Sequence, residues 1–167
     1  MKLLILTFAF MMSFIMPAAP PAPDLPFIIV NKKVHQLALV QDNKIQKVYK
    51  AATGKTEELT PEGLFKVTVK AKNPYYRKKN IPGGDPRNPL GSRWIGFNAK
   101  GTDGRIYGVH GTNRPGLIGT SVSQGCIRLT NKDVEQLYEK VPLGTQILVV
   151  NSTKSFLQIA KQYKAIK

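Results

Sequence analysis

From Phe27 onward the chain breaks into short apolar stretches with a period near two, FIIV, QLALV and IQKVYKA, separated by turn formers. In GLFKVTVKA, Phe65, Val67 and Val69 fall on one face while Lys66, Thr68 and Lys70 fall on the other. That alternation suits an extended strand with one side buried. Asn31 to His35 and Gln41 to Lys44 supply turns between the first strands. RWIGFNA and RIYGVHG repeat the pattern around the turn GTDG, and TQILVVN reads as the last core strand. Antiparallel order is expected. Two helices join them. In TNKDVEQLYEKV, Thr130 and Asp133 match a capping pair, and Val134, Leu137 and Val141 share one face until Pro142. In SFLQIAKQYK the apolar face is Phe156, Ile159, Ala160 and Tyr163. The expectation is a mainly β domain with a few short helices.

With 167 residues, 42% of them hydrophobic and 21% charged, the chain has material for one folded domain and no compositional reason for disorder. Three segments divide it: a leader over 1–26, a domain over 27–150 and a basic helical tail over 151–167. The leader, MKLLILTFAFMMSFIM followed by PAAPPAPDLP, has one Lys before an apolar stretch shorter than the roughly 20 residues that span a bilayer. It reads as a secretory signal. Prolines around Ala18, Ala19 and Ala22 leave an uncleaved amino-terminal anchor as the alternative, the one route by which a membrane enters this reading. Either way the domain is expected outside the cytoplasm, secreted or at the cell wall.

The net charge is +15, from 25 Lys and Arg against 10 Asp and Glu. Such a field attracts polyanions, and export disfavours nucleic acid, which leaves anionic wall polymers or a surface charged only for solubility. Residues 72–93, KNPYYRKKNIPGGDPRNPLGSR, carry four prolines and little apolar periodicity. A loop of that length in a small domain is expected to line or cover a site, with Tyr75 and Tyr76 available to pack on a sugar or peptide.

Cys126 is the one cysteine in the chain, so it has no internal disulfide to form. With two His and one Cys there are too few soft ligands for a closed zinc site, and neither a metal nor a cofactor is expected. A lone Cys is either a small buried hydrophobe or a nucleophile. A nucleophile needs a base, because a thiol of ordinary pKa is mostly protonated at neutral pH. His110 precedes Cys126 by sixteen residues, at the end of a predicted strand, and the turn-rich GTNRPGLIGTSVSQG between them lets the chain fold back. Gly125 before the cysteine allows backbone N–H groups to converge on a reacting carbonyl oxygen.

HGTNRPGLIGTSVSQGCIRLTNKDVEQLY resembles the signature of the L,D-transpeptidase catalytic domain, the YkuD-type family of bacterial wall enzymes, in which His-Gly precedes Ser-x-Gly-Cys-x-Arg. TPEGLFKV, Thr60 to Val67, is similar to the family's Thr-Pro-x-Gly-x-Phe strand, and NPLGSRWIGF, Asn88 to Phe97, to its segment ahead of the active site. The resemblance spans about residues 27–150. It implies a β-sandwich-like catalytic fold and a reaction on peptidoglycan stem peptides. The Cys126 thiolate, deprotonated by His110, attacks the carbonyl of the third stem residue, expels D-alanine, and passes the acyl group to a side-chain amine of a neighbouring stem in a 3–3 cross-link. Gly111 matches the position whose backbone carbonyl orients the histidine. Gly125 and Ser123 fall in the oxyanion and substrate-binding segment. Arg128 would bind a substrate carboxylate or brace the loop. Position 124 departs from the pattern, with Gln where many relatives carry His or Lys. Too few residues precede Phe27 for the wall-binding module of many relatives, so attachment is expected to rest on charge or on the leader. The same dyad would serve a thiol hydrolase with water as acceptor, and a non-catalytic wall-binding protein would have no use for it.

Overall fold

Asp42 and Asn43 both take positive φ, 52° and 58°, forming a two-residue hairpin turn of the kind whose twist matches its flanking strands. In the computed structural model, which describes residues 25–167, this turn joins β2 (Gln36–Gln41) to β3 (Lys44–Lys50). The leader expected over 1–26 lies outside the described residues but for its last two positions. The remaining strands are β1 (Phe27–Asn31), β4 (Thr53–Gly54), β5 (Gly63–Lys72), β6 (Arg93–Phe97), β7 (Tyr107–His110), β8 (Ser121–Ser123), β9 (Ile127–Arg128) and β10 (Gln146–Val150). The two α-helices are α1 (Asn131–Lys140) and α2 (Phe156–Gln162).

Eight strands form one sheet in the order β3-β2-β1-β10-β5-β6-β7-β9, and β4 and β8 pair separately. The ten-residue β5 serves both halves of the sheet. Its first residues pair with β10, and after an irregularity between Val67 and Val69 its remainder pairs with β6. That shift lets the sheet curl, so Ile28 and Leu39 from one half join Ile95, Phe97, Val109 and Ile127 from the other in a single core. The mainly β, sandwich-like class expected from the sequence is realised as one sheet curled on itself, with Phe65 and Val67 on the inner side of β5; the irregularity after Val67 turns Val69, expected on the same face, to the other side, where it lines a groove with Trp94.

The strand order corrects one expectation. β1 runs parallel to β10, β7 to β9 and β4 to β8, whereas antiparallel neighbours were expected throughout. Parallel partners need long connections, and turn residues report only short ones. β1 and β2 are also buried on both faces. Ile28, Val30, Leu37 and Leu39 enter the main core, while Phe27, Ile29, Ala38 and Val40 enter a second cluster closed by Ile159 and Ala160 of α2 and by Ile166. The basic tail over 151–167 is therefore the cover of the sheet's second face. Full burial of each such aliphatic side chain contributes about 1.5–3 kcal/mol.

Thr130 caps α1 by accepting from Asp133 N at 3.1 Å, and Val134 and Leu137 turn into the main core. The long segment after β5 carries its own scaffold. Asn88, 2% exposed, donates to the Pro74 and Pro82 carbonyls, Tyr76 bridges to Ile81, and Asn73 N reaches Ser92 O at 2.8 Å. It is a hydrogen-bonded flap whose two ends meet at the base.

Candidate active site

β7 and β9 lie side by side in parallel, with Val109 opposite Ile127 and His110 opposite Arg128. Strand alternation sends Val109 and Ile127 into the core, so His110, Arg128 and Cys126, two residues before Arg128, share the opposite face. β6 flanks β7 on the other side with Trp94 opposite His110, and the two rings stack with centroids 5.5 Å apart at 18°. Trp94 Nε1 donates to Gly104 O at 2.9 Å, which holds the indole still. The strand RWIGF is visible in the sequence; its register against His110 is not.

His110 is 3% exposed. Its Nδ1 lies 2.6 Å from Gly111 O, and since a carbonyl only accepts, Nδ1 carries the proton and Nε2 is the basic nitrogen. Burial pushes the His110 pKa down to about 4, with the Arg128 charge acting the same way and the Gly111 carbonyl opposing it. The imidazole is neutral at pH 7 and ready to accept a proton.

Cys126 is half-buried, and its thiol donates to Ile106 O at 3.4 Å rather than to the imidazole. Burial raises the thiol pKa, partly offset by the Gly108 backbone and by the charges of Arg128 and Lys78. At rest the thiol and the imidazole are both neutral. The structure thus places His110, at the end of β7, and Cys126, just before β9, on one face, with the thiol turned toward the start of β7.

The turn before Cys126 is closed by Ser123, 1% exposed, whose Oγ donates to Cys126 O at 2.6 Å and accepts from Gly125 N at 3.0 Å. Gly125 has φ of 126°, and a Cβ there would sit 2.5 Å from Leu59 O, so position 125 excludes any side chain on two grounds. From below, the segment between β3 and β5 braces this loop. Ala52 exchanges both backbone hydrogen bonds with Arg128, Lys55 N donates to Ser123 O, and Thr60 Oγ1 accepts from Gly54 N. The Thr-Pro of TPEGLFKV is thereby tied to the cysteine loop, a link that sequence separation conceals. Gln124 is exposed beside this turn. Arg128 is half-buried with Nε unpartnered among the described residues.

Cys126 opens into a groove of about 500 Å3 whose walls include Trp94 and Ile106 on the sheet side and Tyr75 and Lys78 on the flap. Arg77 and Arg105 add further positive charge. A second cleft of about 250 Å3, beside His35 and Ser121, contains neither Cys126 nor His110. The site offers a thiol, a buried neutral base and a cationic peptide-sized groove, which together suit acyl transfer from a substrate bearing carboxylates.

The model of the L,D-transpeptidase catalytic domain family, YkuD, matches residues 26–149. YqjB of Bacillus subtilis, provisionally named an L,D-transpeptidase, is 59% identical over 146 residues, covering 87% of this chain and 83% of that protein. The provisionally named L,D-transpeptidase YkuD of the same organism is 36% identical over 138 residues, covering 82% and 74%. Among solved structures, an L,D-transpeptidase from Stackebrandtia nassauensis superposes with a TM-score of 0.59 at 23% identity over 87% of this chain and 64% of that one. L,D-transpeptidase 3 from Mycobacterium tuberculosis, carrying a faropenem-derived adduct, does so at 0.59 and 21%, over 74% and 59%. The chain spans less than two thirds of these two solved chains, and at such identities they speak for the fold alone. With the family model across most of its length and a relative at 59% identity, the chain belongs to the L,D-transpeptidase catalytic domain family and to that class of enzymes.

Proposed function

We propose that the protein is a peptidoglycan L,D-transpeptidase of the extracytoplasmic wall, with Cys126 as nucleophile and His110 as its base. The observation that carries this reading is the tautomer of His110. A buried imidazole with Nδ1–H committed to Gly111 O leaves Nε2 as the proton acceptor on the face it shares with the thiol. In the first half-reaction the Cys126 proton moves to His110 and sulfur bonds to the carbonyl carbon of the third stem residue. The C–N bond to D-alanine then breaks, and the departing amine takes the proton from the imidazolium. In the second, a side-chain amine of a neighbouring stem attacks the thioester, gives its proton to His110, and the sulfur leaves and regains a proton. Amide and free thiol are restored.

Ser123 already uses Gly125 N–H, so the oxyanion falls to the N–H of Cys126 and its neighbours; losing one such donor typically costs about 3 kcal/mol of transition-state stabilisation. Arg77, Lys78 and Arg105 supply charge for the carboxylates of the stem. The test is a purified-enzyme digest of a disaccharide tetrapeptide, followed by mass for free D-alanine, cross-linked dimer and hydrolysed tripeptide. Dimer with equimolar D-alanine is expected; tripeptide alone makes the protein a hydrolase. Faropenem is expected to leave a mass adduct on Cys126, and an adduct elsewhere overturns its role.

The charge of +15 supports a further reading in which anionic wall polymers hold the enzyme in place. With a screening length of about 10 Å at 0.1 M salt, retention on isolated walls should fall steeply as salt rises while turnover of a soluble fragment changes little. Retention that persists equally on walls stripped of anionic polymer would assign the charge to solubility.

A further inference from the structure

Asn131 is the first residue of α1, and its side chain is not needed to cap that helix, because Thr130 and Asp133 already do so. Although the residue is exposed as a whole, its Oδ1 accepts two backbone N–H groups from elsewhere, Ser92 N and Thr112 N, each at 3.2 Å. Both partners are donors, so oxygen and not the amide nitrogen must face them. Ser92 closes the returning end of the flap just before β6. Thr112 N belongs to the peptide unit whose carbonyl is Gly111 O, the acceptor of His110 Nδ1–H.

A planar trans peptide fixes its C=O and N–H together, pointing opposite ways. The hydrogen bonds therefore form one line: Asn131 Oδ1 accepts from Thr112 N–H, and across the same peptide plane Gly111 O accepts from His110 Nδ1–H. Chains of this kind polarise one another in a buried setting. The fit is close, since a Cβ on Gly111 would lie 2.1 Å from Asn131 Oδ1 and one on Gly91 2.2 Å from it. Gly111 is not among the positive-φ glycines, so what the position requires is the absence of a side chain facing Asn131.

We propose that Asn131 is a positioning residue for the reaction, clamping the flap's return to the Gly111–Thr112 peptide and through that peptide fixing the tautomer and orientation of His110. The kinetic part of this proposal rests on the transpeptidase reading above; the hydrogen-bond part does not.

The experiment compares Asn131→Ala and the near-isosteric Asn131→Leu, which lack the acceptor, with Asn131→Asp, which keeps it. Two quantities are read: kcat and KM on the tetrapeptide, and solvent exchange of the His110 Nδ1–H proton by NMR. Without the acceptor, kcat should fall at least about tenfold, as misplacement of a catalytic group does, while KM stays within about twofold. Nδ1–H exchange should accelerate, and Asn131→Asp should recover most of both. If Asn131→Ala does not fold, Asn131→Leu carries the comparison. Wild-type kcat and unchanged exchange in the acceptor-free variants overturn the proposal, as does a loss that Asn131→Asp fails to recover. Should the wild type form no cross-link at all, the transpeptidase reading falls, and the exchange data still decide the clamp.

Discussion

The cysteine loop and the flap face each other across one groove and are held by opposite means. The loop around Cys126 is locked from beneath, by Ser123 within it, by Ala52 and Lys55 alongside it and by Ile127 in the core. The flap from Asn73 to Ser92 is built mostly from its own hydrogen bonds, through Asn88 and the Tyr76–Ile81 bridge, and presents exposed charge. The difference separates two tasks. On the proposed reaction, atoms that must meet to within fractions of an ångström sit on or directly beside packed strands, while the cations proposed to attract the substrate sit where solvent screens them.

Removing the proposed nucleophile tests the loop most severely. Cys126→Ala should fold with a melting temperature close to wild type and lose cross-linking by about 10^4-fold or more. Residual product above that level would place the chemistry elsewhere.

Replacing the proposed base comes next. His110→Gln should cost about 10^2- to 10^4-fold in kcat, the usual range for general acid–base catalysis. The wild-type pH profile sharpens this. Because the His110 pKa is depressed to about 4, it stays neutral as pH falls, and the acid limb of kcat/KM should lie near pH 4 rather than at the ordinary imidazole value. Because the thiol pKa is raised, alkylation of Cys126 by iodoacetamide should be slow at pH 7 and climb beyond the usual thiol range. A reactivity plateau reaching down to pH 5 would mean a thiolate–imidazolium pair and break this account.

Gly125→Ala probes the rigidity of the loop itself. With φ of 126° and a contact of 2.5 Å to Leu59 O awaiting its Cβ, the variant should lose on the order of 1–3 kcal/mol of stability, and activity with it. A thermal melt unchanged from wild type would show that the loop yields more than its hydrogen bonds suggest.

The flap should give the smallest effect. Lys78→Met removes one exposed charge from the groove wall, worth about 0.2–1 kcal/mol, so KM should rise by up to about fivefold, kcat should fall far less than in the loop variants as the thiol loses one weak offset, and the melting temperature should stay nearly unchanged. A large fall in kcat would mean that the flap takes part in positioning the reacting atoms and would erase the contrast.

How much of this was legible in advance follows from the range of each interaction. Period-two alternation marked β5, capping chemistry marked α1, and the His-Gly and Ser-x-Gly-Cys-x-Arg signature marked His110 and Cys126, because each signal is carried by a few adjacent residues. The Asp42-Asn43 hairpin is local in the same sense. The stacking of Trp94 on His110 is not, since it depends on the register of β6 against β7. Nor is the exposure of Arg77 and Lys78 to the thiol's groove, which depends on where a twenty-residue flap returns.

The sequence by itself determined that this chain makes short strands, two short helices, one with a legible cap, and a family signature carrying one thiol and one imidazole. Tertiary structure alone decided that β10 enters parallel beside β1, that the basic tail covers the sheet, that Ser123 shapes the loop and that Asn131 reaches the peptide holding His110. Side-chain periodicity and capping are set within a turn or two of backbone. Pairing across more than a hundred residues, and the electrostatics of a buried imidazole, exist only once distant segments have excluded water together.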